Sequence, residues 1–96
     1  MYGTVAKARV KPENRKEIQS VFDRQISKRK IPGYVSSYGL FENDSDVMWL
    51  FAVFEDRTNY DKNADDPEHD ADYQEFRALM ESDPEWHDGE IVEYRP

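Results

Sequence analysis

Val47-Met48-Trp49-Leu50-Phe51-Ala52-Val53-Phe54 is an unbroken run of eight apolar residues in a chain that is 35% charged, with a mean hydropathy of -0.99. The run is too short to cross a membrane, and it is bounded by Asp44 and Asp46 before it and Glu55-Asp56-Arg57 after it. Its β-branched and aromatic content predicts a strand. Alternation then sends Val47, Trp49, Phe51 and Val53 to one face and Met48, Leu50, Ala52 and Phe54 to the other. Both faces need cover. A chain of 96 residues has helices enough for one face of a sheet, so the other face calls for a partner.

Working outward from the run, Asn43-Asp44-Ser45-Asp46 is a turn, and Gly33 to Glu42 before it reads as a strand containing Tyr34, Val35, Tyr38, Leu40 and Phe41. So short a link makes the two an antiparallel hairpin. Tyr2 to Lys11 sets Ala6, Ala8 and Val10 against Lys7, Arg9 and Lys11, the pattern of a strand with one face more buried. Pro12 suits a first helical turn. Ile18, Val21, Phe22 and Ile26 then form one apolar helical stripe, stopped by Pro32-Gly33. After Glu55, the polar stretch Asp56 to Ala64 is expected to contain a helical turn through Thr58–Lys62. A second amphipathic helix is expected from about Glu68 to Ser82, with Tyr73, Phe76, Leu79 and Met80 on its apolar side and Asp83-Pro84 at its end. Glu90-Ile91-Val92-Glu93-Tyr94 reads as the last strand. The order is β-α-β-β-α-β, an α+β, ferredoxin-like arrangement with a four-stranded antiparallel sheet, the first and third strands central and both helices on one face. A single domain over residues 1–96 is expected.

Composition excludes several function classes. Cysteine is absent, which removes thiol catalysis, iron–sulfur ligation and cysteine-bound zinc, and fits a cytoplasmic location. The N-terminus carries no basic region followed by an apolar stretch, so no secretory signal is visible. The net charge is -8 and the isoelectric point near 4.7; nucleic acid, which binds cationic surface, is not an expected partner, and neither is a membrane. The basic cluster Lys28-Arg29-Lys30 falls at a predicted helix end, where cations oppose the helix dipole. The acidic run Asp61, Asp65, Asp66, Glu68, Asp70 and Asp72 lacks the glycine and terminal glutamate of an EF-hand loop, so no metal site is assigned. There is no phosphate loop, nucleophile elbow or nicotinamide fingerprint, and only four glycines, at 3, 33, 39 and 89.

Three short motifs carry a family resemblance over nearly the whole chain. The first strand runs into Val10-Lys11-Pro12 before a helix, and Pro32-Gly33-Tyr34 opens the second strand. After the third strand come Tyr60, Ala64 and then Asp66-Pro67-Glu68-His69. In these the chain resembles the dimeric α+β barrel superfamily and, within it, antibiotic-biosynthesis-monooxygenase-like domains. The resemblance implies a homodimer whose two sheets face each other, which would cover the open side of the 47–54 strand. It also implies either a cofactor-independent oxygenase acting on small aromatic, polyphenolic or quinol-type compounds, with no cofactor, or a haem-degrading enzyme. Haem degraders of this superfamily use an asparagine on the first strand. Tyr2 to Lys11 contains none, a departure that argues against haem.

The candidate catalytic residue is His69, where the family commonly carries a histidine near a pocket mouth; an imidazole can take a phenolic proton near neutral pH. The competing reading is a polar first-turn residue among acids. Tyr34, Tyr38, Trp49, Tyr60 and Tyr73 are the candidate substrate-binding aromatics of a small pocket expected between sheet and helices, since rings stack on planar ligands and tyrosine hydroxyls orient oxygens. Core packing is the alternative for them, above all for Trp49 and Tyr73, while Tyr34 and Tyr38 are expected to share a strand face. His87 is read as structural, Gly89 as permitting a turn, and Trp86 as capping the seam between helix and sheet. The alternative function is a non-catalytic small-molecule-binding or stress-associated homodimer.

Overall fold

The computed structural model of the protein describes residues 1–28 and 30–96. In chain order the elements are β1 (Tyr2–Arg9), a 3-10 turn (Pro12–Asn14) that runs into α1 (Arg15–Lys28), β2 (Tyr34–Phe41), β3 (Val47–Phe54), α2 (Arg57–Ala64), α3 (Pro67–Arg77) and β4 (Glu85–Glu90). The sheet is antiparallel throughout, in the order β2-β3-β1-β4. This is the ferredoxin-like α+β arrangement, and it puts the apolar run in the interior of the sheet. The β2–β3 turn is closed by Glu42 N–H donating to the Val47 carbonyl at 3.0 Å. Within it Asp44 takes a left-handed φ of 54°, a conformation that Asn and Asp adopt more readily than bulkier residues.

The two faces of β3 differ. Met48, Leu50, Ala52 and Phe54 lie on the helix side, with Ala8, Ala6, Thr4 and Tyr2 as their cross-strand partners on β1. Val10, Ile18 and Met48 form the centre of the core, and Phe22, Phe41, Leu50, Phe76, Leu79 and Met80 pack against it. Trp49 and Phe51 occupy the opposite, open side, half-buried, beside Lys7 and Val5 of β1 and Leu40 and Tyr38 of β2.

Four expectations change. The last strand is Glu85–Glu90 rather than residues 90–94. β4 pairs with β1 from Lys7↔Glu85 to Tyr2↔Glu90, and Ile91 N–H then donates to the Met1 carbonyl, beyond the last paired residues of the two strands. The helix after His69 stops at Arg77 instead of reaching Ser82. Tighter closures from Leu79 N to Phe76 O and from Met80 N to Arg77 O end it, while the Arg77 guanidinium donates to the Met80 carbonyl and to Asp83. Thr58–Lys62 is part of a full helix, capped by the Asp56 carboxylate accepting from Asn59 N–H at 2.8 Å. On α1 Ile18 and Val21 are buried and Phe22 packs against the core, but Gln25 is the further buried residue of the stripe and Ile26 is 46% exposed. Of the basic cluster, Lys28 closes α1, donating to the Asp72 carboxylate at 2.9 Å; Arg29 lies outside the described residues, and with it the reading of the cluster as a unit.

Candidate functional site

A cavity of about 150 Å³ lies between the helix side of the sheet and the three helices. Its origin is a local shortage of side-chain volume. Thr4 and Ala52 are cross-strand partners on β1 and β3, both line the cavity, and neither fills the space between sheet and helices. Ala52 is the one small residue in the 47–54 run. Larger side chains surround the gap.

Aromatic rings make one end of the cavity. Phe54 meets Tyr34 edge-on with ring centres 5.7 Å apart and Tyr60 at 5.6 Å, and Tyr60 meets Tyr2 at 5.2 Å. Tyr73 lies 5.9 Å from Trp86, which spans from β4 to α3 as a cap on that seam. Phe22 and Phe76 approach to 4.1 Å across α1 and α3. Polar groups are few. The Tyr34 hydroxyl donates to Ser37 at 2.7 Å. The Tyr60 hydroxyl donates to the Asp88 carboxylate at 2.9 Å, and burial, reinforced by that bond, pushes its pKa up. Tyr60 therefore holds its proton.

The third wall is α3. His69, Asp72, Tyr73 and Phe76 fall at helical spacings of three, four and seven, which places them on one face, and all four line the cavity. Asp66 caps the helix by accepting from Glu68 N–H at 2.9 Å, and Pro67 follows at the first helical position; these two fix where His69 emerges. His69 Nδ1 lies 3.3 Å from the Asn63 amide on α2. Gln25 enters from α1, buried, donating to the Asp72 carbonyl at 3.1 Å and to Glu75 at 2.9 Å. Arg24 also pairs with Glu75.

The structure thus brings His69, Tyr34, Tyr60 and Tyr73 to one cavity and separates the other two candidates from it. Trp49 lies on the open face, because it has the opposite parity on β3 from Leu50 and Ala52; its indole N–H donates to Glu42 at 2.6 Å, with the Lys7 ammonium 5.8 Å from the ring. It is neither core nor cavity wall. Tyr34 and Tyr38 do not share a face. A bulge between Tyr34 and Ser36 shifts the register, so that Tyr34 sits opposite Phe54 on the helix side and Tyr38 opposite Phe51 on the open side, where it is 64% exposed. His87 is opposite Val5 on the open face, exposed, and 2.9 Å from Glu85. The acidic run is dispersed: Asp61 is an i,i+4 partner of Arg57, Asp66 is a cap and Asp72 takes Lys28. Among the described residues no group of three or more His, Asp and Glu could hold a metal ion, and no helix is long and apolar enough to cross a membrane.

Sequence reasoning missed Asn63, Gln25, Ser37, Thr4 and Asp72 as cavity residues. Gln25 had a readable signal, a polar residue seven after Ile18 and four after Val21 on an apolar stripe. Ser37 had none, since its orientation depends on the bulge.

Fold and site together define a class: a ferredoxin-like α+β domain with an aromatic-lined cavity between sheet and helices and a single histidine in its wall. The profile of the antibiotic biosynthesis monooxygenase family matches residues 1–79, and the chain belongs to that family. Among solved structures it is similar to SnoaB, a cofactor-independent oxygenase from Streptomyces nogalater, with 24% identity, coverage of 99% of this chain and 96% of that one, and a TM-score of 0.80. A conserved protein from Methanosarcina mazei Go1 superposes with a TM-score of 0.76 at 17% identity, over 92% of this chain and 89% of its own. A protein from Mycobacterium tuberculosis does so at 0.74 and 16% identity, over 99% and 98%. No curated protein matches the chain.

Proposed function

We propose that the cavity binds a small aromatic compound of phenol or quinol type and that the protein oxygenates it with molecular oxygen and no cofactor. The observation that carries this reading is the convergence of His69, Tyr34, Tyr60 and Tyr73 on one largely apolar cavity; family membership and the likeness to an oxygenase described as cofactor-independent support it. His69 takes the phenolic proton, which makes the ring electron-rich enough to react with oxygen. One oxygen atom enters the ring and the other leaves as water, so a hydroquinone yields a hydroxyquinone and oxygen is the only oxidant needed. The Tyr34 and Tyr60 hydroxyls orient the ligand's oxygens.

Oxygen consumption with a panel of quinols and flavonols tests the proposal. Turnover by the wild type that falls at least about tenfold in His69→Ala, in line with the usual contribution of a general base, is the expected result. Undiminished turnover removes His69 from the mechanism, and binding without turnover by any compound leaves a ligand-binding module in place of an enzyme.

We further propose that two copies pair through the open face of the sheet. Phe51, Trp49, Val5, Tyr38 and Leu40 lie there, Tyr38 and Leu40 more than half exposed in the single chain. An apolar sheet face of this kind favours burial against a matching surface.

A further inference from the structure

A second, solvent-open cavity of about 340 Å³ adjoins the first between α1 and the edge strand β2. The two share four lining residues: Phe22, Ile26, Ser37 and Leu50. Ile26 stands at the exposed rim, Ser37 is small, and Leu50 is held in the sheet between Ala6 and Gly39. Phe22 is the one aromatic among the four, lining both spaces, and its ring is braced against Phe76 with centres 4.1 Å apart.

Size gives this partition a consequence. An apolar protein cavity of roughly 150 Å³ accepts benzene, so the space of about 150 Å³ here matches one aromatic ring. Two or three fused rings need the volume on the far side of Phe22. We propose that Phe22 is a specificity-determining residue that limits the site to single-ring phenols and quinols by walling off the adjoining cavity. The inference rests on the reading of this cavity as an aromatic-ligand site, and it adds a size class and the residue that sets it. Phe22 needs no contact with a reacting atom for this role; it acts by occupying the path that a second ring would take.

Anaerobic calorimetric titration of the full chain with hydroquinone, a naphthalenediol and an anthracenediol tests it, because binding is read without any reaction. The wild type should bind hydroquinone at least about tenfold more tightly than the anthracenediol, a modest discrimination for a misfit in an apolar pocket, where one methylene is worth roughly 10–200-fold. Phe22→Ala should tighten the anthracenediol and weaken hydroquinone, each by about tenfold on the same scale. Phe22→Leu, which keeps an apolar side chain in the core, should move both in the same direction by less, and it carries the test if the alanine variant does not fold. A wild type that prefers the anthracenediol overturns the size limit while leaving the aromatic site standing. Folded variants with wild-type preferences overturn the role of Phe22. If no probe binds the wild type, the reading of the cavity fails, and this inference fails with it.

Discussion

Gly33 has a φ of 74°, where an L side chain is strained, and a Cβ added there would come 2.5 Å from the Asn59 Cβ. Its carbonyl accepts from Glu55 N–H at 2.8 Å, so this one residue joins the start of β2 to the exit of β3 beside the aromatic end of the cavity. Gly33→Ala should lower stability by about 1–3 kcal/mol, measured as a shift in the urea midpoint; an unshifted midpoint would show that the joint relaxes at no cost. Glu75 offers a pH test. Hydrogen bonds from Arg24 and then Gln25 hold its carboxyl below its ordinary 4.5. A depressed native pKa means that the stabilisation is fully present above that ordinary value and is lost as pH falls through the lower native one. The gap in melting temperature between wild type and Glu75→Gln should therefore be present at about pH 7 and shrink toward about pH 3. An equal gap at both would mean that the charge contributes nothing. At this scale the sequence was partly legible. His69 was singled out through the family resemblance carried by Asp66-Pro67-Glu68-His69, and it lines the cavity, whereas Tyr34 and Tyr38 misled because the bulge between Tyr34 and Ser36 leaves no mark in the sequence.

Among the elements, α2 and β4 were the least visible in the sequence, for different reasons. α2 has no fully buried residue, so no apolar periodicity announces it; a polar stretch becomes helical because Asp56 caps it and Tyr60 packs on Phe54. Asp56→Ala should cost about 0.5–2 kcal/mol and speed hydrogen exchange of the α2 amides more than those of α1. Uniform acceleration over both helices would instead mean that α2 does not open on its own. β4 is an edge strand, Glu-Trp-His-Asp-Gly-Glu, whose residues are almost all exposed. Backbone pairing to β1 specifies it, and its side chains carry little trace of that. The apolar letters a few residues later were the stronger sequence signal and the wrong one, since the pairing with β1 runs over Glu85–Glu90. By contrast β1 and α1 each bury a face and β3 is an unbroken apolar run, and their patterns placed them within a few residues.

For the whole molecule, the structure resolves a choice that alternation alone leaves open: the even-numbered residues of β3 face the helices, and Trp49 and Phe51 face outward. Phe51→Asp puts a charge at the middle of that outward face. Light scattering at micromolar concentration should find a wild-type dimer and a Phe51→Asp monomer, because a buried unpaired charge is strongly destabilising. A wild-type monomer would remove the pairing proposal. An aromatic-lined pocket between sheet and helices was expected, but what would line it was legible only as a list of aromatics. What the list could not contain is the empty space, which comes from Thr4 meeting Ala52 across two strands 48 residues apart in number.

That space is bounded by side chains from β1 through β4 and from all three helices, so no fragment and no partly folded chain contains it. An occupant is thus a ligand of the native state alone, and mass action obliges it to shift the folding equilibrium, by about 2.7 kcal/mol at a hundredfold excess over its dissociation constant. A compound library can accordingly be screened blind, with the unfolding temperature of the protein reporting any molecule that occupies the cavity.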